Sequence, residues 1–308
     1  MCTAIALHGE SFLFGRNMDL DWNFDGEILI TPRNMPFSFL EKGKPHYAII
    51  GMAKAVDNYP LYADAANERG LCIAGLHFPQ SGHYFSEAPE GSQEIASFEL
   101  IPWILSTCAT VEEALSHLQR ACLVDRPFCK DIPTTPLHWI VADQHHALTV
   151  EPTVEGLKVY QNSVGILTNE PPFPFHMENR KYYQGLSAEH VISDAGNNLL
   201  PLGTASIGLP GDYSSISRFV KADFLLRCAE NEDTVYEAGD LFRLLQAVAP
   251  TKGSVRLQNG KSHHTVYSCC MEPLKGIYHF QTYDGLSTTT KTLFSYPLET
   301  DSLIFTNI

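Results

Sequence analysis

No stretch of this sequence approaches the roughly eighteen uninterrupted apolar residues of a membrane-spanning helix, so none of its segments is expected to span a membrane as a helix. Positive charge is scarce: Lys and Arg number 21 against 35 Asp and Glu, a formal net charge of −14. That surplus repels phosphate backbones and anionic lipid, which argues against nucleic-acid and membrane partners. It does not set the sign of a small substrate, because one local Arg can hold an anion. The start, MCTAIALHGESFLFGRNMDL, lacks the basic opening and unbroken apolar stretch of an export signal, since His8 interrupts the run and Glu10, Arg16 and Asp19 follow. A cytoplasmic protein is expected, and its eight cysteines read as reduced thiols rather than a disulfide framework. Linker-like stretches and internal repeats are also missing, so residues 1–308 are expected to form one domain. The glycine-rich GLPGDYSS lacks the Gly-Lys-Ser/Thr ending of a phosphate-gripping loop.

What is present is material for a packed core, 44% hydrophobic and 11% aromatic. The runs CTAIAL and FLFGRN flank His8-Gly9-Glu10-Ser11 and predict a hairpin, with Gly9 supplying a positive φ. EILITP, HYAIIGM, PLYADAA and LCIAGLHF predict further strands, the last two joined by a turn over residues 67–70. Thr110 stands three residues before Glu113 as a capping box, and Val111, Ala114, Leu115, Leu118 and Ala121 share one helical face. Strands return in LHWIVAD, ALTVEP, LKVYQ and VGILTN. Helices are expected from Ser214-Ser215 through ISRFVKADFLLRCAE and from Gly239-Asp240 through GDLFRLLQAVA. HTVYSCC and GIYHFQTY close the chain as another hairpin around residues 271–275. Blocks of strands alternating with blocks of helices indicate an antiparallel α+β architecture rather than a regular βαβ repeat.

Cys2 carries the most chemical information. Removal of Met1, favoured by the small residue after it, would place a thiol and a free α-amine on one residue. An α-amine has a reference pKa of about 7.7 to 8.0, so part of it is neutral near pH 7 and can take the thiol proton. Position alone would make Cys2 an ordinary strand residue. The hairpin, folded about Gly9-Glu10, places Cys2 opposite Asn17 with Arg16 and Asp19 close by: a guanidinium to favour thiolate and a carboxylate to orient an amine. The pairs His145-His146, His263-His264 and Cys269-Cys270 are not expected to bind metal, because neighbours on a strand face opposite ways. No cofactor or metal is called for.

The segments MCTAIA, FGRNMD, ADAANERGLCIAGLHF, LHWIVAD, GILTNEP, GLPGDYSSISRFVKA and SCCMEPLKGIYHFQTYD resemble, in order and over nearly the whole chain, the bile salt hydrolase and penicillin V acylase family. The resemblance implies an αββα sandwich of two antiparallel sheets between helical layers. It implies Cys2 as nucleophile with its α-amine as base and later acid, Arg16 beside the thiol, and Asp19 holding the amine. Asn169 in LTNEP would then donate to the oxyanion, and Arg218 in SSISRF would join the catalytic network. Taken as bare residues, Asn169 is a turn residue and Arg218 a helix-surface cation.

One position departs from the pattern: GLHF replaces the GLNF usual in bile salt hydrolases, so His77 stands where an Asn helps form the oxyanion site, and penicillin V acylases tend to have Tyr there. A backbone N–H at His77 would serve equally; a side-chain role would change substrate preference. Met18, Trp22 and Phe24 are candidates to line a substrate pocket, although aromatic residues are more often core. The expected activity is hydrolysis of glycine- or taurine-conjugated bile acids, by a homo-oligomer that the family's habit makes a tetramer. Penicillin V acylase activity, acyl transfer to an amine, and a non-catalytic protein with retained Met1 are the alternatives.

Overall fold

The protein is described by a computed structural model covering residues 1–191, 201–229, 235–285 and 287–306. Apolar-rich runs form β1 (Cys2–Leu7), β2 (Leu13–Leu20), β3 (Glu27–Thr31), β4 (Ile49–Val56), β5 (Tyr59–Asn67) and β6 (Cys72–His77), with Arg16, Asn17, Asp19, Lys54 and Asp64 set among them. A short parallel pair, β7 (Gln93–Ala96) and β8 (Ala121–Val124), brackets α1 (Leu100–Thr107) and α2 (Val111–Leu118). Next come β9 (Leu137–Ala142), β10 (Ala147–Thr153), β11 (Gly156–Gln161), β12 (Ile166–Leu167), α3 (Phe173–Asn179), α4 (Ser215–Ala229) and α5 (Ala238–Ala247). β13 (His264–Glu272), β14 (Ile277–Thr282), β15 (Thr289–Thr292) and β16 (Ile304–Phe305) complete the chain.

Among the described residues the strands form two large antiparallel sheets, ordered β12-β1-β2-β13-β14-β15 and β11-β10-β9-β6-β5-β4-β3-β16. Both faces of the second sheet are buried, which is why its strands are apolar without alternation. Ile28, Ile30 and Ile140 pack toward the first sheet, while Leu29, Trp139 and Val141 pack toward α1 and α2. On the other side α4 and α5 cover β1, β2 and β13 through Phe219, Ala222, Leu241 and Leu245. The result is the expected αββα sandwich.

The first hairpin forms with two corrections. Gly9 is not among the residues with positive φ; it needs to be glycine because a Cβ would meet the Tyr236 ring at 2.9 Å. The turn also takes in Phe12, which is buried and stacks on His8, so the pairing slides by one residue. Cys2 pairs with Met18 rather than Asn17, whose partner is Thr3. A one-residue slip turns every side chain to the other face. The thiol therefore shares a face with Arg16 and Met18, not with Asn17 and Asp19.

Helix boundaries follow local hydrogen bonds. Thr110 Oγ1 accepts the Glu113 N–H (3.3 Å), but the Glu113 carboxylate accepts from Ala109 N–H (2.6 Å), and α2 stops at Leu118, leaving Ala121 to β8. Ser214 Oγ accepts from Ser217 N–H at the start of α4; its expected end at Glu230 lies outside the described residues. α5 starts one residue earlier than Gly239, because Asp240 Oδ2 accepts the Glu237 N–H (2.8 Å). The sequence offered no sign of α1: LIPWILST is buried nearly throughout, so no apolar stripe distinguishes it from a strand.

Candidate active site

Cys2 opens β1, and its buried Sγ lies 3.9 Å from Met18 Sδ. Arg16 Nη2 reaches the same sulfur at 3.4 Å, so thiol and guanidinium meet across one thioether. Arg16 owes its place to a fork in the second sheet. β5 pairs with β6 as far as Asp64 opposite Ala74, and the pairing of β5 with β4 slips at Ala63, a bulge. The freed carbonyls of Ala63 and Gly75 both accept from Arg16 Nη1, at 3.1 and 2.8 Å. Burial works against the charge on Arg16, yet Cys2, Tyr267 and Asp64 hold its pKa above the ordinary value.

The nitrogen of Cys2 is a peptide nitrogen while Met1 is attached and becomes the α-amine once Met1 leaves. It donates to Asn169 Oδ1 at 2.7 Å. Arg218, delivered by the first turns of α4, donates from Nη2 to the same oxygen (2.9 Å) and from Nη1 to Cys2 O and to Thr3 Oγ1. Two donors on Oδ1 settle the amide's orientation. Its Nδ2 gives one hydrogen to His77 O (2.8 Å) and keeps a second. The Asn169 main chain is held too, its N–H by Ser215 Oγ and its C=O by His176 Nε2. Burial lowers the pKa of Arg218, opposed by Asp19 and Cys2.

Asp19 is fully buried at the end of β2. Its Oδ1 accepts from Thr265 Oγ1 (2.6 Å), its N–H donates to Met1 O (3.1 Å), and its Oδ2 has no partner. Burial raises its pKa, with Arg218 and the amino terminus pulling the other way. The Met1 amine, 3.1 Å from His263 Nε2, is held below its ordinary pKa by burial. His77 contributes its carbonyl to Asn169; its ring is exposed, and partial desolvation, the amino terminus and His138 lower its pKa.

These groups open on a cavity of about 630 Å³ lined by Cys2, Met18, Trp22, Phe24, Leu137 and Val255, with His77 and His263 also on its wall. All nine residues singled out from the sequence, Cys2, Arg16, Met18, Asp19, Trp22, Phe24, His77, Asn169 and Arg218, thus lie at or beside one site. Several others were not singled out. His263 lines the cavity while His264 turns away onto Tyr283, and the His145 and His146 rings lie 6.3 Å apart, with His146 paired to Glu112. His176 carried no sequence signal, and Ser215 was marked only as a helix start, yet both hold the Asn169 main chain. Asp64 did carry one: a lone carboxylate in the apolar run PLYADAA has to find partners inside the fold.

A thiol beside a nitrogen that can become its base, with a locked amide donor next to both, is equipped for acyl transfer from an amide. On a two-sheet sandwich between helices, with the cysteine heading a central strand, it defines a cysteine N-terminal-nucleophile amidohydrolase. The chain belongs to the linear amide C–N hydrolases, choloylglycine hydrolase family, whose profile matches residues 2–306. It is 38% identical to the bile salt hydrolase/transferase of Lactiplantibacillus plantarum over 99% of this chain and 96% of that one. It is 35% identical to the conjugated bile acid hydrolase of Lactobacillus acidophilus, covering 99% of both. The crystal structure of a C2A mutant conjugated bile acid hydrolase from Clostridium perfringens superposes with a TM-score of 0.93 at 35% identity, covering 100% of this chain and 97% of that one. The penicillin V acylase of Agrobacterium tumefaciens shares the fold, with a TM-score of 0.76 at 18% identity, covering 98% of this chain and 90% of that one.

Proposed function

We propose that this enzyme hydrolyses the amide bond of glycine- or taurine-conjugated bile acids through a Cys2 thioester. The observation that carries the reading is the Asn169 amide, locked by the Cys2 nitrogen and Arg218 and bonded to Cys2 and His77, which line an apolar cavity large enough for a steroid. The α-amine left by removal of Met1 takes the thiol proton, and Sγ attacks the amide carbon. The free hydrogen of Asn169 Nδ2 and a backbone N–H near His77 stabilise the oxyanion. The ammonium, steadied by the vacant Oδ2 of Asp19, protonates the leaving glycine or taurine. Water, deprotonated by the same amine, then cleaves the thioester and restores the thiol. Met18, Trp22 and Phe24 hold the steroid. Because His77 meets Asn169 through its carbonyl, replacing the usual Asn leaves that contact available.

Acyl transfer is a second reading, favoured by the hydrolase/transferase name of the L. plantarum relative: an amine in place of water would leave with the acyl group. The shared second sheet between both apolar cores supports one domain over 1–308, and the family resemblance supports a cytoplasmic homotetramer.

The test compares wild type and Cys2→Ser on glycocholate, taurocholate and penicillin V, with loss of Met1 verified by intact mass. Release of glycine or taurine by wild type alone is expected. Preferential cleavage of penicillin V, or no turnover by processed protein, would sink the reading, and an amine-dependent product would establish transfer.

A further inference from the structure

Beneath Arg16 lies a polar cluster that the mechanism above does not use. Asp64 is fully buried between the two sheets, with its Oδ2 3.9 Å from Arg16 Nη1. Three side chains of the opposite sheet donate to it: Tyr267 OH to Oδ2 (2.6 Å), Tyr278 OH to Oδ1 (2.5 Å) and Cys269 SH to Oδ1 (3.4 Å). The bulge at Ala63, one residue earlier, turns this carboxylate inward and frees the carbonyl that Arg16 grips. Burial raises the pKa of this carboxylate, while Arg16 and the three donors pull toward the ionised form, so its charge depends on those partners.

We propose that Asp64 is a positioning residue for the reaction, acting through Arg16: it supplies the fixed negative charge against which the Cys2 thiol ionises beside that guanidinium. The inference rests on Cys2 being the nucleophile. Arg16 sits between two anions, the Asp64 carboxylate and the thiolate, and its guanidinium is shared between them. With Asp64 present the thiolate receives part of that field and remains a basic, strong nucleophile; without it the thiolate would be over-stabilised. Other charged or titratable groups around the thiol are the α-amine, Asp19 on β2, Arg218 on α4, His77 on β6 and His263 before β13. Around Asp64 they are Arg16, Tyr267, Cys269, Tyr278 and, on β6, Cys72. Asp64→Asn removes one charge and leaves all of these in place, while the Ala63 and Gly75 carbonyls keep Arg16 where it is.

The experiment is the pH dependence of Cys2 alkylation by iodoacetamide, read by mass spectrometry of the N-terminal peptide, in processed wild type and Asp64→Asn of verified folding. Loss of the anion should move the alkylation profile toward acid by about one pH unit. An unshifted profile overturns the proposal, even where hydrolysis falls, because Asp64 would then be a structural tie alone. Should Asp64→Asn fail to fold, Tyr278→Phe decides: weakening the hold on the carboxylate raises its proton affinity, so a smaller shift in the same direction supports the proposal and none overturns it. Alkylation needs no bile acid, so a shifted profile in a protein that leaves glycocholate and taurocholate intact would fault the substrate assignment and not this inference.

Discussion

The site is organised around one side-chain amide. Asn169 Oδ1 takes two donors and Nδ2 gives one hydrogen to His77 O, so the remaining hydrogen points in a fixed direction. Preorganised donors of this kind are worth about 10²–10³ in kcat. Asn169→Ala is expected to lower kcat by that factor with little change in KM, measured by steady-state hydrolysis; an equal loss in KM would mean Asn169 only binds substrate. His176, which holds the Asn169 carbonyl, is buried against Phe219, and burial depresses its pKa to about 4 from 6.5. The protonated form is therefore disfavoured in the folded state. Its contribution is fully present above pH 6.5 and is lost as pH falls toward 4, roughly 3 kcal/mol in all. Urea midpoints between pH 7 and pH 4.5 should fall less steeply in His176→Gln than in wild type, and parallel slopes would exclude this linkage.

At the scale of elements, β2 does the positioning: it carries Arg16, Met18 and Asp19 between β1 and β13. Its approach to β13 is close enough that a Cβ on Gly15 would stand 2.3 Å from Cys269 O and 3.0 Å from Leu241. Gly15→Ala should cost about 1–3 kcal/mol of stability through overpacking, visible as a lower urea midpoint. It should also lower kcat/KM, since Arg16 is the next residue; unchanged stability would show that β13 can give way. The strands themselves were readable as apolar runs, and so were the caps at Thr110 and Ser214, because those signals are local. The register of β1 on β2 was not, since it depends on Phe12 being drawn into the core beside His8.

On the whole-molecule scale, Met1 fits the sandwich without displacing β1 or β2, its main chain paired with Asp19 and its amine against His263. A chain bearing an uncleavable N-terminal extension is accordingly expected to fold with a melting temperature close to that of the processed enzyme and to lack hydrolysis. Activity in a chain shown by intact mass to be extended would refute the role of the free amine. The cavity, like the site, is assembled from distant parts: Met18 and Trp22 come from the first hairpin, Leu137 from the second sheet, Val255 and His263 from the segment before β13.

By itself the sequence determined which residues can do chemistry and which segments extend or coil, because a thiol after Met1, an apolar run and a helix cap act over a few neighbouring residues. The tertiary structure decided which of them meet. The slip of one residue that puts the thiol on the Arg16 face, the fork between β5 and β6 that seats the guanidinium, and the burial of Asp64 beneath it all arise where two sheets close on each other, and contacts between residues so far apart in the chain leave no local periodicity to read.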